Sequence, residues 1–236
     1  MKLTLIGTLT IAALLTGCSV PTAPKAVSSL DTLLNAPVGR SSATRVANGG
    51  NVSLGIVYSP STQANRDYLR HYQANAGTGF GQSLLVQPIH NAYVASSKPD
   101  FAVDWVKASL QRQFGSVTVY PDLQSLRAAK PDVVAVVDTR SQLITSRSSD
   151  IEAQVSAVFY DAEFNYIGTA QGRDAKALSP LWANYKRSEE IVADINEQQN
   201  VQVRALQKFD QSLNNLLTRP TGKLASASVS KDQNLH

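Results

Sequence analysis

Residues 132–139 read Asp-Val-Val-Ala-Val-Val-Asp-Thr, and they give the strongest indication of the fold class. Its centre, residues 133–137, is apolar without interruption and contains four valines. A short run of β-branched residues without polar alternation predicts a strand that is buried on both faces, as the central strands of parallel sheets are. We therefore expect this strand to lie inside a sheet that has helices packed on it.

The segments before this stretch alternate between strand and helix patterns. Asp100 can cap a helix that runs to Phe114, with a broad apolar face around Trp105. This alternation is typical of βαβ units and predicts parallel strands. The predicted elements, in chain order, are a strand at Val52–Tyr58, a short helix at Asn65–Ala76, a strand at Ser83–Ile89, a helix at Asp100–Phe114, a strand at Val117–Tyr120 and a short helix at Asp122–Ala129.

The segments after it predict a different arrangement. Apolar and polar residues partly alternate over Ile151–Tyr160 and again over Asn165–Gln171, which is typical of an antiparallel hairpin with one exposed face. Tyr185–Leu217 has apolar residues at helical spacing, but its middle, Asn196–Gln202, is polar. We expect a long helix with a break or an exposed face there. The fold class is α/β, with α+β as the alternative: a mixed sheet, helices packed on it, and a long C-terminal helix.

Composition excludes several classes of protein. The 236 residues are 43% hydrophobic and 17% charged, which is typical of a globular chain and not of a disordered one. The formal net charge is only +4, and the basic residues are scattered. Nucleic acid is therefore not expected as a partner, because its binding requires clustered cations.

The N-terminus carries the clearest motif. A cation at Lys2 precedes an apolar stretch, Leu3–Leu15, which is too short to cross a membrane comfortably but suits a signal peptide. The stretch ends in Leu15-Thr16-Gly17-Cys18, which contains the only cysteine and resembles the lipobox of bacterial lipoproteins. The resemblance implies that Cys18 is lipidated and palmitate-bearing, with membrane lipid as its partner. The alternative is an ordinary secretory signal followed by an incidental cysteine.

The lipobox also suggests a location and a domain plan. Ser19 is not Asp, which by analogy with enterobacterial sorting favours the outer membrane of a Gram-negative envelope, with the domain facing the periplasm. The expected plan is a signal peptide at 1–17, a flexible tether at 18–51, an α/β domain at 52–219 and a disordered tail at 220–236. Such a tether would let the domain reach away from the bilayer.

Catalytic and metal-binding patterns are not evident in the sequence. The histidines lie in separate segments and no G-x-S-x-G elbow occurs, so we expect no enzyme, no metal and no cofactor. Asp138 and Arg140 follow the buried strand, where open α/β sheets often bind ligands; a turn with a surface ion pair is the alternative. Trp182 and Tyr185 are candidates for a partner contact, although a Trp at the start of a long helix more often closes the core.

The order of elements behind a lipobox resembles small α/β envelope lipoproteins of the curli-secretion and transport-auxiliary type. The resemblance implies a non-enzymatic, membrane-anchored component that docks or self-associates within an envelope export, transport or assembly system. A periplasmic module that binds a small molecule or a glycan is the alternative, and a hydrolase is the third hypothesis.

Overall fold

A computed structural model describes residues 23–24, 39–43, 45–74, 87–145, 148–179 and 186–219. Within them the chain forms a five-stranded sheet and five helices. The strands are β1 Gly49–Tyr58, β2 Phe114–Val119, β3 Val133–Gln142, β4 Asp150–Asp161 and β5 Tyr166–Ala177. The helices are α1 Pro60–Ala74, α2 Gln87–Ser96, α3 Phe101–Gln111, α4 Leu123–Ala129 and α5 Ser188–Leu217.

The sheet is mixed and has β3 at its centre. Its strand order is β2-β1-β3-β4-β5. Both β2 and β3 run parallel to β1, whereas β3, β4 and β5 are antiparallel neighbours. The predicted α/β class, the mixed sheet and the long C-terminal helix are confirmed. The apolar run of β3 is buried because a strand flanks it on each side and helices pack on both faces of the sheet.

One face of the sheet is covered by α3 and α5. The core there joins Ile56 of β1 and Val137 of β3 to Phe209 of α5, all of them fully buried. Helix α5 approaches β5 closely at Gly172, where a Cβ atom would lie 2.0 Å from the carbonyl oxygen of Ala205. A side chain at this position would therefore push the helix off the sheet.

The other face is covered only in part, by the short helix α4. The Asp122 carboxylate caps this helix by accepting from the backbone N–H of Ser125 at 2.7 Å. Leu126 of α4 is buried against Val134 and Val136 of β3. The strands continue past this contact, so the rest of this face carries no helix within the described residues.

One predicted strand is wrong. Residues 87–89 of the predicted strand Ser83–Ile89 begin helix α2, and residues 83–86 lie outside the described residues. Pro88 stands in the first turn of α2, where a missing N–H costs nothing. Ile89 then packs against Ile191 and Ile195 of α5. A short apolar run does not distinguish a strand from a buried helix face, and tertiary packing decides for the helix.

Of the two alternatives for the middle of the last helix, the break is wrong, because α5 is continuous over 30 residues. In its polar middle Asn196 and Asn200 are exposed, whereas Gln198 and Gln202 are buried and bonded. The Gln198 Oε1 accepts from the N–H of Ile144 at 2.6 Å, and its Nε2 donates to the Ser96 hydroxyl at 2.9 Å. The Gln202 Nε2 donates to the Ser96 carbonyl at 2.9 Å. The two amides can therefore lie on the buried face of the helix, because they bond to the end of α2 and to the residues just after β3.

Several element boundaries differ from the sequence prediction. Val46 is fully buried and β1 begins at Gly49, so the end of the predicted tether belongs to the domain. Helix α3 ends at Gln111, because Phe114 already enters the core as the first residue of β2. The Asp100 side chain does not cap α3; it accepts from Arg66 Nε at 2.6 Å.

Candidate functional site

Strand β3 has two halves with different neighbours. Its first half, 133–137, pairs in parallel with β1, and the pairing ends at Tyr58 opposite Val137. The chain then turns into α1 at Pro60. The second half, 138–142, therefore extends past the end of β1, and its backbone needs other hydrogen-bond partners on that edge.

Side chains of α1 supply those partners. They lie at helical spacing along one face of α1, and they become longer toward the C-terminal end of the helix. Thr62 Oγ1 accepts from Thr139 N at 2.8 Å, Asn65 Oδ1 accepts from Ser141 N at 2.8 Å, Tyr68 OH accepts from Leu143 N at 3.1 Å, and Tyr72 OH donates to Ile144 O at 2.8 Å. The helix thus takes the place of a further β-strand.

Two of these partners are tyrosines whose hydroxyls are kept protonated. Burial raises the pKa of Tyr68, and it raises the pKa of Tyr72 well above its ordinary value. A neutral Tyr72 hydroxyl can donate to a carbonyl, whereas a phenolate cannot. The segment just after β3 is therefore held in part by the Tyr72 hydroxyl, which must stay protonated to donate to Ile144, whereas Tyr68 accepts from Leu143.

The uncovered part of the sheet is a polar surface that we call the open face. It begins where α4 ends its contact with β3, and its side chains alternate with the core residues of the same strands. By strand register, it is made of the rows Asp138–Ser156–Gln171, Arg140–Gln154–Arg173 and Gln142–Glu152–Ala175. These residues are half-buried or exposed.

Asp138 and Arg140 both lie on the open face, but not as predicted. β3 runs to Gln142, so they stand within the strand and not beyond its carboxyl end. The Asp138 carboxylate accepts from the Ser59 hydroxyl. Arg140 Nη1 makes one long contact of 3.5 Å to Gln154 Oε1, and its buried Nε has no hydrogen-bond partner among the described residues.

The charge of Arg140 is not neutralised locally. Among the described residues, no carboxylate oxygen lies within 4.0 Å of its guanidinium. The neighbouring Glu152 is already engaged, since its Oε1 accepts from Arg173 Nε at 2.7 Å. That hydrogen bond raises the pKa of the Arg173 guanidinium. Within the described part of the chain, the open face thus has a cation without an ion-pair partner beside a satisfied ion pair.

A shallow depression of about 200 Å³ lies over Arg140. Its walls include Gln142 and Gln154 from the sheet and Ala23 and Pro24 from the N-terminal segment. Ala23 also packs against the cluster of Tyr68, Leu69, Tyr72 and Leu143. Residues 23–24 of the predicted tether therefore contact the domain beside the open face.

The two edges of the sheet differ in protection. β5 is met by the N-terminal segment, where Ser41 N donates to Tyr166 O at 2.9 Å, and by α5, where the Ser212 hydroxyl accepts from Gln171 N at 3.1 Å. β2 has the sequence Phe-Gly-Ser-Val-Thr-Val, without a charge or a proline, and its outer edge has no strand neighbour among the described residues. Val119 at its end is 38% exposed.

The remaining predicted site residues, Cys18, Trp182 and Tyr185, lie outside the described residues. Over the part of the chain that is described, no group of three or more His, Cys, Asp and Glu residues could hold a metal ion. In the same part, no helix is both long and apolar enough to span a bilayer.

Sequence reasoning missed two parts of this region. Glu152, Gln154 and Ser156 alternate with Ile151, Ala153 and Val155, so the period of two already signals which side chains face out. The bonds from α1 carry no comparable signal, because Thr62 and Asn65 meet residues more than 70 positions further along the chain.

In comparisons with protein families and with curated proteins, nothing matches this chain. Among solved structures, it is similar to the PelC dodecamer from Paraburkholderia phytofirmans, with 13% identity over 70% of this chain and 94% of that chain, at a TM-score of 0.29. A point variant of the same PelC matches with 13% identity over 67% of this chain and 94% of that chain, at a TM-score of 0.31. TM-scores this low carry no structural or functional argument.

Proposed function

We propose that this protein is a non-enzymatic lipoprotein, anchored in the outer membrane through acylated Cys18, whose periplasmic domain docks on, or self-associates within, an envelope export, transport or assembly complex. The lipobox Leu15-Thr16-Gly17-Cys18 supports the anchor. The edge of β2, which no strand of the described residues covers, is the observation that carries the docking role.

An edge strand offers a row of unpaired N–H and C=O groups to another chain, and proteins usually block it with charge, proline or a covering element. β5 has such cover, whereas β2 is uncharged and five of its six residues are at least partly exposed. Pairing of a further strand with β2 would extend the sheet and bury Val119. A second copy of the chain and another envelope protein can both supply that strand.

The test places lysines on this edge. Ser116→Lys combined with Thr118→Lys adds two charges at exposed positions of β2, and Gln124→Lys combined with Ala128→Lys adds the same charges at exposed positions of α4 as a control. We expect the β2 pair to abolish assembly, measured by light scattering of the full chain in detergent and by crosslinking in cells. Assembly that survives the β2 pair, or an unmodified chain that is a monomer without a crosslinked partner, contradicts the docking role.

The anchor is tested separately. Cys18→Ser should move the protein from the membrane fraction to the soluble fraction, and mass spectrometry of the unmodified protein should find diacylglycerol and acyl chains on Cys18. An unmodified Cys18 in the mature protein contradicts the anchor.

A further inference from the structure

We infer that the open face is turned toward the bilayer, with Arg140 contacting the phosphates of lipid headgroups, and that residues 23–24 fix this orientation. The inference rests on the proposed anchor at Cys18. It differs from the sequence expectation, in which a long tether lets the domain move freely away from the membrane.

The chain between the anchor and the first contact with the domain is short. Cys18 precedes Ala23 by five residues, which span about 17 Å at most. Ala23 packs on the tyrosine cluster of α1, and together with Pro24 it lines the depression over Arg140. With Cys18 lipidated, this part of the domain lies within about 17 Å of the membrane surface, whatever course the later residues 25–38 take.

Arg140 lacks a strong hydrogen-bond acceptor among the described residues. Its guanidinium has one long contact, to a neutral amide, and no carboxylate partner among the described residues. An unpartnered N–H of a charged group is costly to bury and calls for an acceptor. Phosphate matches a guanidinium through paired, charge-assisted hydrogen bonds, and a phospholipid surface presents phosphates at high density.

The surroundings of Arg140 are compatible with this contact. The carboxylate of Glu152 is compensated by Arg173, and Asp138 accepts from Ser59. Gln142 and Gln154 add amide groups that can bond to headgroup oxygens. None of these residues belongs to β2, so the edge proposed for docking stays available when the open face meets the membrane.

The experiment compares two probes on the full, lipidated chain in vesicles of phosphatidylcholine and phosphatidylglycerol that carry a nitroxide on the headgroup. A fluorophore is attached to Ala175→Cys or, as the matched control, to Ala108→Cys; the Cys18 thiol is blocked by its lipid. Both alanines are exposed, but Ala175 shares a row with Gln142 on the open face, whereas Ala108 lies on α3, which covers the opposite face of the sheet.

Quenching is expected to be several-fold stronger at Ala175→Cys than at Ala108→Cys. Equal quenching at the two positions, or stronger quenching at Ala108→Cys, overturns the orientation. If Cys18 carries lipid and the protein floats with the vesicles while the two probes are quenched equally, the orientation fails and the proposed anchor stands. If Cys18 carries no lipid, both fail.

The role of Arg140 is tested in the Ala175→Cys protein. Arg140→Gln should lower the quenching several-fold and Arg140→Lys should retain part of it, whereas Lys107→Gln on α3 should leave it unchanged. The melting temperature of Arg140→Gln, compared with that of the parent, reports whether the domain stays folded. Full quenching in a folded Arg140→Gln protein overturns the headgroup contact.

Discussion

The backbone of β3 is hydrogen-bonded in both halves of the strand, but the bonding partners of the two halves differ. The first half, 133–137, pairs with backbone of β1 and is buried on both faces. The second half, 138–142, keeps β4 on one side but is met by side chains of α1 on the other, and it leaves one face open. A strand can thus extend past its neighbour when a helix presents acceptors at the right spacing, and the extension creates a polar surface on a rigid base.

The largest effect is expected in the first half. Ile56 of β1 is fully buried opposite Ala135. Ile56→Ala removes three methyl or methylene groups from the core and should lower the free energy of unfolding by about 3 kcal/mol. Denaturant unfolding measures this loss, and Ser116→Ala, at an exposed position of the neighbouring strand, is the control. A loss of under about 1 kcal/mol would contradict the assignment of this half to the core.

A smaller and more local effect is expected where α1 replaces a strand. Asn65→Ala leaves the buried N–H of Ser141 without its acceptor, which should cost about 1–3 kcal/mol. Amide exchange should quicken at Thr139 and Ser141 before it quickens at Val137. Gln63→Ala, at an exposed position of the same helix, is the control. Equal acceleration along the whole of β3 would show that the two halves open as one unit.

The tyrosine contact should add a dependence on pH. Because the pKa of Tyr72 is raised above its ordinary value of 10, the folded state holds this proton more tightly than the unfolded state. Its contribution to stability is complete below pH 10 and is lost as the pH rises above that value. Tyr72→Phe should cost about 1 kcal/mol at neutral pH.

Tyr72→Phe should also make the alkaline loss of stability shallower. The measurement is a series of denaturant unfolding curves between neutral pH and the alkaline limit of the folded state. Tyr120→Phe, a control at a half-buried position in the cluster around Leu126, should leave the slope unchanged. An identical alkaline slope in the parent and in Tyr72→Phe would contradict the role of this proton.

The smallest effect on stability is expected on the open face. Gln154→Ala removes only a long contact to Arg140 and should change the free energy of unfolding by no more than about 0.5 kcal/mol. Thermal unfolding measures this change. A larger loss would mean that the open face contributes to folding stability, and its polar residues would then have a structural role.

The elements that can be predicted from the sequence are those that have a local pattern of apolar and polar residues. The apolar run at 133–137, the alternation along β4 and the apolar face of α3 each reflect whether neighbouring residues meet the core or water. The strand predicted at Ser83–Ile89 failed where it is described, because a short apolar run fits a helix face equally well. The break that was one alternative for α5 is absent, because Gln198 and Gln202 are satisfied by partners from distant segments.

The α/β class, the central strand, the hairpin and the resemblance to a lipobox can all be read from the sequence, because each depends on adjacent residues. Three features could be read only from the folded chain: β3 extends past β1, Asp138 and Arg140 share the open face, and Ala23 contacts the domain beside them. The physical reason is that these features depend on which backbone groups and charges find partners, and those partners come from segments far apart in the chain.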